Sequence, residues 1–185
     1  MKYLTKRYTE PHRKYHSLTH VANMFYFATL NDIHLTYSQT IAVWFHDAVY
    51  VPGSLTNEED SVKVFEDWTK INLLHSYQIE KIKTIILDTK NEIPTIEDSK
   101  IVIDLDLSRL GTDKFEIDKQ LIKEEFVPDF CTEEEFIKGR IKWLKKFLQR
   151  DTIYVSKIYP FFDNEKIARK NLQNELNEYN VENND

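Results

Sequence analysis

A chain of 185 residues is long enough for one domain with a hydrophobic core and too short for two domains of ordinary size. Its net charge of -6, from 25 basic and 31 acidic side chains, argues against polymeric nucleic acid as a partner, which requires a broad basic surface, but is compatible with a small phosphorylated ligand. Only 3 glycines and 5 prolines interrupt the long helical periodicities, so an all-α fold is predicted.

Nothing in the sequence indicates a membrane partner or an oxidising compartment. No apolar run approaches the length that spans a bilayer, and the N-terminal segment lacks the apolar stretch of a secretory signal. The single cysteine, Cys131, cannot form an internal disulfide. We therefore expect a cytoplasmic protein.

Apolar residues at helical spacing predict the secondary structure. Ser17 is a good N-cap for the first helix, and Thr56 with Glu59 forms the pattern of a capping box. We expect a single domain over residues 1–179, followed by a polar tail, 180–185. The predicted helices cover about residues 17–30, 37–49, 56–68, 76–88, 101–110, 112–126, 132–150 and 164–179, the last with Ile167, Leu172 and Leu176 facing inward.

The segment Ile101–Leu110, IVIDLDLSRL, alternates apolar and polar residues. By itself this pattern also fits a strand. In an otherwise helical chain we interpret it as a buried helix with two inward aspartates, Asp104 and Asp106, that ends before Gly111.

Three apolar segments each carry side chains of the type that bind divalent metals. His20 belongs to the first helix, His46 and Asp47 to the second, and Asp104 and Asp106 to the segment just described. Imidazoles and carboxylates are costly to bury without partners, and one shared ion coordinated by all of them would remove several burial penalties together. This is the physical argument for a metal site.

Simpler interpretations stand beside it. A His-Asp dipeptide alone is usually incidental. His16 and His20, four residues apart, are either a surface pair or a His-x-x-x-His metal site of their own. Three further histidines in polar surroundings are interpreted as ordinary surface residues: His12, His34 and His75.

The order of these residues, His20, then His46–Asp47, then a distant buried aspartate, resembles the HD superfamily of metal-dependent phosphohydrolases. The similarity extends over about residues 8–176 and includes RKYHSLTHV, FHDAVY followed by NEEDS, IDLDLSRLG and ARKNLQNEL. The segments resemble a branch of small, single-domain predicted metal-dependent HD phosphohydrolases. The resemblance implies an HD-type helical bundle and a hydrolase acting through metal-activated water.

Residue by residue, the resemblance implies a metal site made of His20, His46, Asp47 and Asp106, with Asp104 next to the ligands. Such a site suits one Mn²⁺, Fe²⁺, Co²⁺, Ni²⁺ or Zn²⁺ ion per chain, with Mg²⁺ as a further candidate. A histidine is frequent in this branch where the chain has Asn91–Glu92. Its absence favours one ion, and counts against the two-iron oxygenases of the superfamily.

The remaining site residues are hypotheses with ordinary alternatives. Glu58 is the candidate general base, with Asp47 as the second catalytic group; alternatively, Glu58 only decorates a helix N-terminus. Arg13 and Lys90 are candidates for holding phosphate, and the alternative for both is a solvated surface charge. His16 is the candidate donor lining the pocket.

The expected substrate is a phosphate ester or anhydride of a nucleotide or a small phosphorylated metabolite, and a homo-oligomer is compatible with the sequence. Two alternatives stay open: a non-catalytic, metal-stabilised helical binding module, and an HD-type iron oxygenase.

Overall fold

The computed structural model describes residues 2–182, with side chains from Tyr3 to Asn180, and this range contains nine α-helices, one short 3-10 helix and no strand. The all-α prediction is confirmed. The helices are α1 Lys2–Tyr8, α2 Leu18–Leu30, α3 Tyr37–Phe45, α4 Asn57–Thr69, α5 Ser76–Thr89, α6 Glu97–Asp106, the 3-10 helix Ser108–Gly111, α7 Phe115–Phe126, α8 Glu133–Leu148 and α9 Phe161–Glu182.

The chain forms two compact units that meet in sequence between Asp106 and Leu107. The first unit contains α1–α6, and within it α5 packs against α3, α4 and α6. Its core consists of apolar side chains that are almost fully removed from water, among them Val21, Phe45, Phe65, Ile82, Ile86 and Val102. The single-domain organisation stays a prediction.

The start of α2 agrees with the sequence, but the end of α3 does not. Ser17 is the N-cap of α2, as predicted, although its side chain makes no capping hydrogen bond. Helix α3 ends at Phe45, four residues before the predicted end, so His46 is its C-cap and Asp47 lies in the following turn. The short N-terminal helix α1 was not predicted.

The predicted capping box at the start of α4 is wrong. Thr56 is the N-cap, but its hydroxyl donates to Asp60 instead of accepting from the helix. The Glu59 carboxylate is bound to Lys90 and is therefore not available to the N-cap amide. Lys90 was invisible in the local pattern, because it comes from the end of α5, whereas Asp60 lies in the same first turn.

Helix α6 resolves the ambiguity of the alternating segment. The chain is helical through both aspartates, as we expected, and then continues as the 3-10 helix up to Gly111. Asp104 is completely buried. Asp106, the last residue of α6, keeps 22% of its side-chain surface exposed, which places it at the edge of the unit's core.

The second unit is organised around α9, which packs against α8 and against the 3-10 helix. Gly111 permits this approach, because a Cβ atom there would come within 2.8 Å of the Asn164 Cβ. The buried guanidinium of Arg140 on α8 makes two hydrogen bonds to Glu175 on α9, at 2.8 and 3.0 Å. Helix α9 therefore has a polar anchor within its apolar interface.

Helix α9 differs from its predicted form at both ends and on one face. It begins three residues early, at Phe161, and extends to Glu182. The rest of the predicted tail lies outside the described residues. Ile167, expected to face inward, is 47% exposed, whereas Leu172 and Leu176 are buried as predicted. Among the described residues, no helix has both the length and the apolar character needed to cross a membrane.

Candidate metal centre

Four side chains of the first unit come close together, one from α2, two from the end of α3 and the turn after it, and one from α6. The Nε2 atoms of His20 and His46 are 3.3 Å apart. The Oδ1 atom of Asp106 lies 2.9 Å from the first of these nitrogens and 3.8 Å from the second. The Oδ2 atom of Asp47 lies 3.1 Å from the His46 nitrogen and 3.9 Å from the His20 nitrogen.

Three of these separations, 2.9, 3.1 and 3.3 Å, fit the edges of a metal coordination shell, whereas those of 3.8 and 3.9 Å are longer. Around an ion with bonds of about 2.1 Å, adjacent ligand atoms lie about 3.0 Å apart in octahedral geometry and about 3.4 Å apart in tetrahedral geometry. The ligand atoms of His20, His46 and Asp106 all lie within 4.8 Å of one another. Two imidazoles with one or two carboxylates form a donor set of intermediate hardness, which suits first-row transition metals.

The backbone of α3 sets the orientation of His46. Its Nδ1 atom lies 2.8 Å from the carbonyl oxygen of Val43, so an Nδ1–H donates to the preceding turn of the helix. The other ring nitrogen, Nε2, is thereby directed at His20 and the carboxylates. Metal-bound histidines are usually held by such a hydrogen bond on the second nitrogen.

His46 and Asp47 shift each other's pKa strongly. Burial by itself lowers the pKa of the His46 imidazole. The adjacent Asp47 carboxylate and the more distant Asp106 raise this pKa by a larger amount, so that the net result is an increase to about 9. Burial by itself raises the pKa of the Asp47 carboxyl. The charge of His46 outweighs this effect and holds the pKa of Asp47 well below its usual range. A divalent ion would replace the imidazole proton as the positive charge of the cluster.

Helix geometry separates the two aspartates of α6. Residues two apart on a helix point about 200° away from each other, and the carboxylate of Asp106 is the one that reaches His20. Asp104 is fully buried and is not part of the converging group. Its predicted role beside a ligand histidine stays a prediction.

Arg13 occupies a position that neither sequence interpretation anticipated. Its side chain is fully buried, so the alternative of a solvated surface charge is wrong. The guanidinium donates to the Glu10 carboxylate and to the backbone carbonyls of His16, Asp47 and Ala48. A role in holding phosphate would require Arg13 to give up these partners.

The NEEDS segment, which forms the start of α4, fixes the chain that follows the His-Asp turn. The Asn57 side chain both accepts from the backbone N–H of Val51 and donates to its carbonyl, at 3.0 and 3.1 Å. Ser61, one turn further, bonds both backbone groups of Val49. These contacts hold the first turn of α4 against the segment that follows His46 and Asp47.

Glu58, between those anchors, is a half-buried carboxyl group near the converging side chains. Burial raises its pKa, the negative charge of Asp47 raises it further, and Lys90 acts in the opposite direction. A carboxylate that takes up a proton more readily than usual is a better base. The upward pKa shift is in the direction that the predicted role of Glu58 requires.

Lys90, the C-cap of α5, is not a solvated surface charge. Its ammonium group binds the Glu59 carboxylate and the carbonyl of Leu55. It thus ties the end of α5 to the segment around the start of α4. Glu59 is thus paired with Lys90, and of the two glutamates it is Glu58 whose pKa is raised by the charge of Asp47.

Aromatic rings surround the histidines on one side. His16 stacks on Tyr50 with ring centroids 3.9 Å apart, and its centroid is 5.9 Å from that of His20. The Tyr15 ring lies 5.1 Å from the His20 ring. His16 therefore lies beside the candidate metal centre, and its role as a donor that lines a pocket stays a prediction.

The other three histidines differ in how exposed they are to solvent. His34 and His75 are exposed, as expected for ordinary surface residues. His12 is only partly exposed and its Nε2 atom lies 2.9 Å from the carbonyl oxygen of Tyr50, so the surface interpretation of this residue is wrong.

Comparison of the chain with protein-family models, with curated proteins and with solved structures gives no match. The function of the protein is therefore inferred from the geometry of the first unit and from the resemblance to the HD superfamily.

Proposed function

We propose that the protein is a metal-dependent phosphohydrolase of the HD type, which hydrolyses a phosphate ester or anhydride of a nucleotide or a small phosphorylated metabolite. One observation carries the proposal: the ligand atoms of His20, His46 and Asp106 all lie within 4.8 Å of one another, and an Asp47 carboxylate oxygen lies 3.1 Å from the His46 nitrogen. Half-buried Glu58 lies near this group.

The chain's own residues would divide the work. His20, His46, Asp47 and Asp106 would hold one divalent ion, which supplies Lewis acidity and a water of lowered pKa when bound. Glu58 would orient that water and accept its proton. Phosphoryl transfer requires little covalent chemistry from the protein, so positioning and electrostatics suffice.

The charges around the site favour a small substrate. Arg13 is engaged by the protein's own carbonyls and Lys90 by Glu59, so the ion itself would be the main partner of the phosphate. An acidic chain does not suit a long polyanion. The rings of His16 and Tyr50 would then meet the remainder of the substrate.

Turnover of a panel of nucleotides and phosphorylated metabolites, assayed with Mn²⁺, Co²⁺, Ni²⁺, Zn²⁺ and Mg²⁺, tests the proposal. We expect phosphate release that depends on added metal, ceases with a chelator and is lost in Asp106→Asn. Phosphate release by protein shown to be free of metal would contradict the mechanism. Tight metal binding without turnover of any member would favour the non-catalytic binding module instead.

A further inference from the structure

We infer that Arg13 is a positioning residue of the metal centre: its guanidinium joins the segment before α2 to the turn after α3 and so sets the distance between the two ligand histidines. The inference rests on the proposed metal site, but not on the proposed reaction.

The decisive contacts are made by one nitrogen atom. Nη1 of Arg13 donates to the carbonyl of His16, at 2.9 Å, and to the carbonyl of Asp47, at 2.8 Å. The first carbonyl precedes α2, whose first turn carries His20; the second belongs to a candidate ligand and directly follows His46. A shift of either segment would change the 3.3 Å separation of the ligand nitrogens.

The other donors of the guanidinium fix its own place. Nη2 donates to the carbonyl of Ala48 at 3.3 Å, and Nε donates to Glu10 at 3.0 Å. The group also lies near two aromatic rings, with its central carbon 5.1 Å from the Tyr8 centroid and 5.8 Å from the Tyr50 centroid. A buried guanidinium is stable when its charge and its fork of donors are both satisfied.

The position also explains why α3 can end where it does. Carbonyls just beyond a helix C-terminus lack intrahelical donors, and a positive charge there is favourable. Arg13 provides hydrogen-bond donors and a positive charge to the carbonyls of Asp47 and Ala48. A lysine would keep the charge but has no planar fork with which to bridge three carbonyls, so Arg13→Lys is the informative substitution.

The experiment compares metal affinity in Arg13→Lys and in a matched control. Arg140 is a second buried arginine. It makes two hydrogen bonds to the Glu175 carboxylate and belongs to the second unit. Calorimetric titration of metal-free protein with Co²⁺ should show affinity about 10–100-fold lower in Arg13→Lys, the usual effect of removing a group that orients metal ligands. Arg140→Lys should keep the wild-type affinity. Unchanged affinity in Arg13→Lys, or an equal loss in both variants, overturns the inference.

A second measurement decides the question if Arg13→Lys does not fold. The backbone N–H groups of Ala48 and Val49 donate to the Phe45 carbonyl and the Ser61 hydroxyl. If Arg13 holds the turn, both amides in metal-free wild-type protein should be protected from hydrogen exchange as strongly as those inside α3. If they exchange at the rate of an open loop until Co²⁺ is added, the ion fixes the turn and the inference fails. Neither measurement involves turnover, so failure of the proposed reaction is seen separately.

Discussion

The Nε2 atom of His20 and the Oδ1 atom of Asp106 lie 2.9 Å apart, although one stands in the first turn of α2 and the other is the last residue of α6. Contacts between α2 and α6 bring the two together. The imidazole and the carboxylate are within hydrogen-bonding distance, and His46 and Asp47 extend the pair into a cluster. The first predictions concern that cluster.

The protein should bind about one transition-metal ion per chain. Because the converging ligands need no large movement to surround an ion, binding should stabilise the fold; at a free ion concentration 100 times Kd the gain is about 2.7 kcal/mol. Thermal unfolding with and without Zn²⁺ or Mn²⁺, together with metal analysis, measures this. A folded protein whose melting temperature ignores every ion tested would remove the basis of the proposed function.

His46→Ala should abolish this metal-dependent stabilisation, because it deletes one ligand and the charge that balances Asp47. His34→Ala is the matched control, since the His34 side chain is 90% exposed and pairs with Asp32 on the surface. Equal responses of the two variants to added metal would show that His46 is not a ligand.

The two aspartates of α6 should differ in a measurable order. Asp106→Asn should remove most of the metal affinity, because its carboxylate is among the converging atoms. Asp104→Asn should weaken binding by no more than about 10–100-fold, the usual effect of a group beside the ligands, while also reducing stability, because Asp104 is fully buried. Titration calorimetry and urea unfolding separate the two effects. The reverse order of affinities would make Asp104 the ligand.

The sequence predicted those parts of the site that depend on local pattern. Helical spacing located α2 and α5, and the helical character of the rest of the chain indicated α6. The presence of His20, Asp104 and Asp106 in apolar segments suggested a shared site before any distance was known. A period of apolar residues and an unexpected polar group within it are both visible in a single sequence.

The parts that failed depend on partners remote in sequence. At the early end of α3, Arg13 donates to the backbone carbonyls of Asp47 and Ala48. Every residue has a backbone carbonyl, so the sequence does not show which carbonyls Arg13 binds. Glu59 appeared to cap its own helix, but Lys90 from another helix binds it instead. Ile167 had the helical spacing of a core residue although no packed neighbour covers it fully. Such outcomes require the tertiary structure.

The second unit offers a test of stability that is independent of metal. The Tyr179 hydroxyl donates to Glu175, and burial together with that carboxylate raises the pKa of Tyr179 to about 12. A phenol whose pKa is higher in the folded protein than the unfolded value of about 10 stabilises the fold fully below that pH and loses its contribution as pH rises toward 12.

Substitution of Tyr179 should therefore change how the free energy of unfolding depends on pH in alkaline solution. Wild-type free energy of unfolding should fall between about pH 10 and 12, and Tyr179→Phe should show a smaller fall over that window, because it has no proton to lose. Urea unfolding across the window measures the difference. Identical pH profiles would mean that Glu175 does not hold the phenol in its protonated form.

The last prediction concerns Glu58. Glu58→Gln keeps the size of the side chain and removes its ability to accept a proton. If Glu58 is the general base, turnover should fall by about 10²-fold or more, whereas metal affinity should be unchanged because Glu58 is not among the converging ligand atoms. Steady-state kinetics with saturating metal, paired with titration of the same preparation, tests both halves.

The control must come from the same turn of α4 and must not disturb the site. Glu59 is unsuitable, because Glu59→Gln would break the pair with Lys90 that ties α5 to α4. Asp60 binds Lys63 and the Thr56 hydroxyl, so Asp60→Asn alters a first-turn charge without touching the ligands. Equal, small losses of turnover in Glu58→Gln and Asp60→Asn would reduce Glu58 to an ordinary acidic residue at a helix N-terminus, where negative charge is favourable for the helix alone.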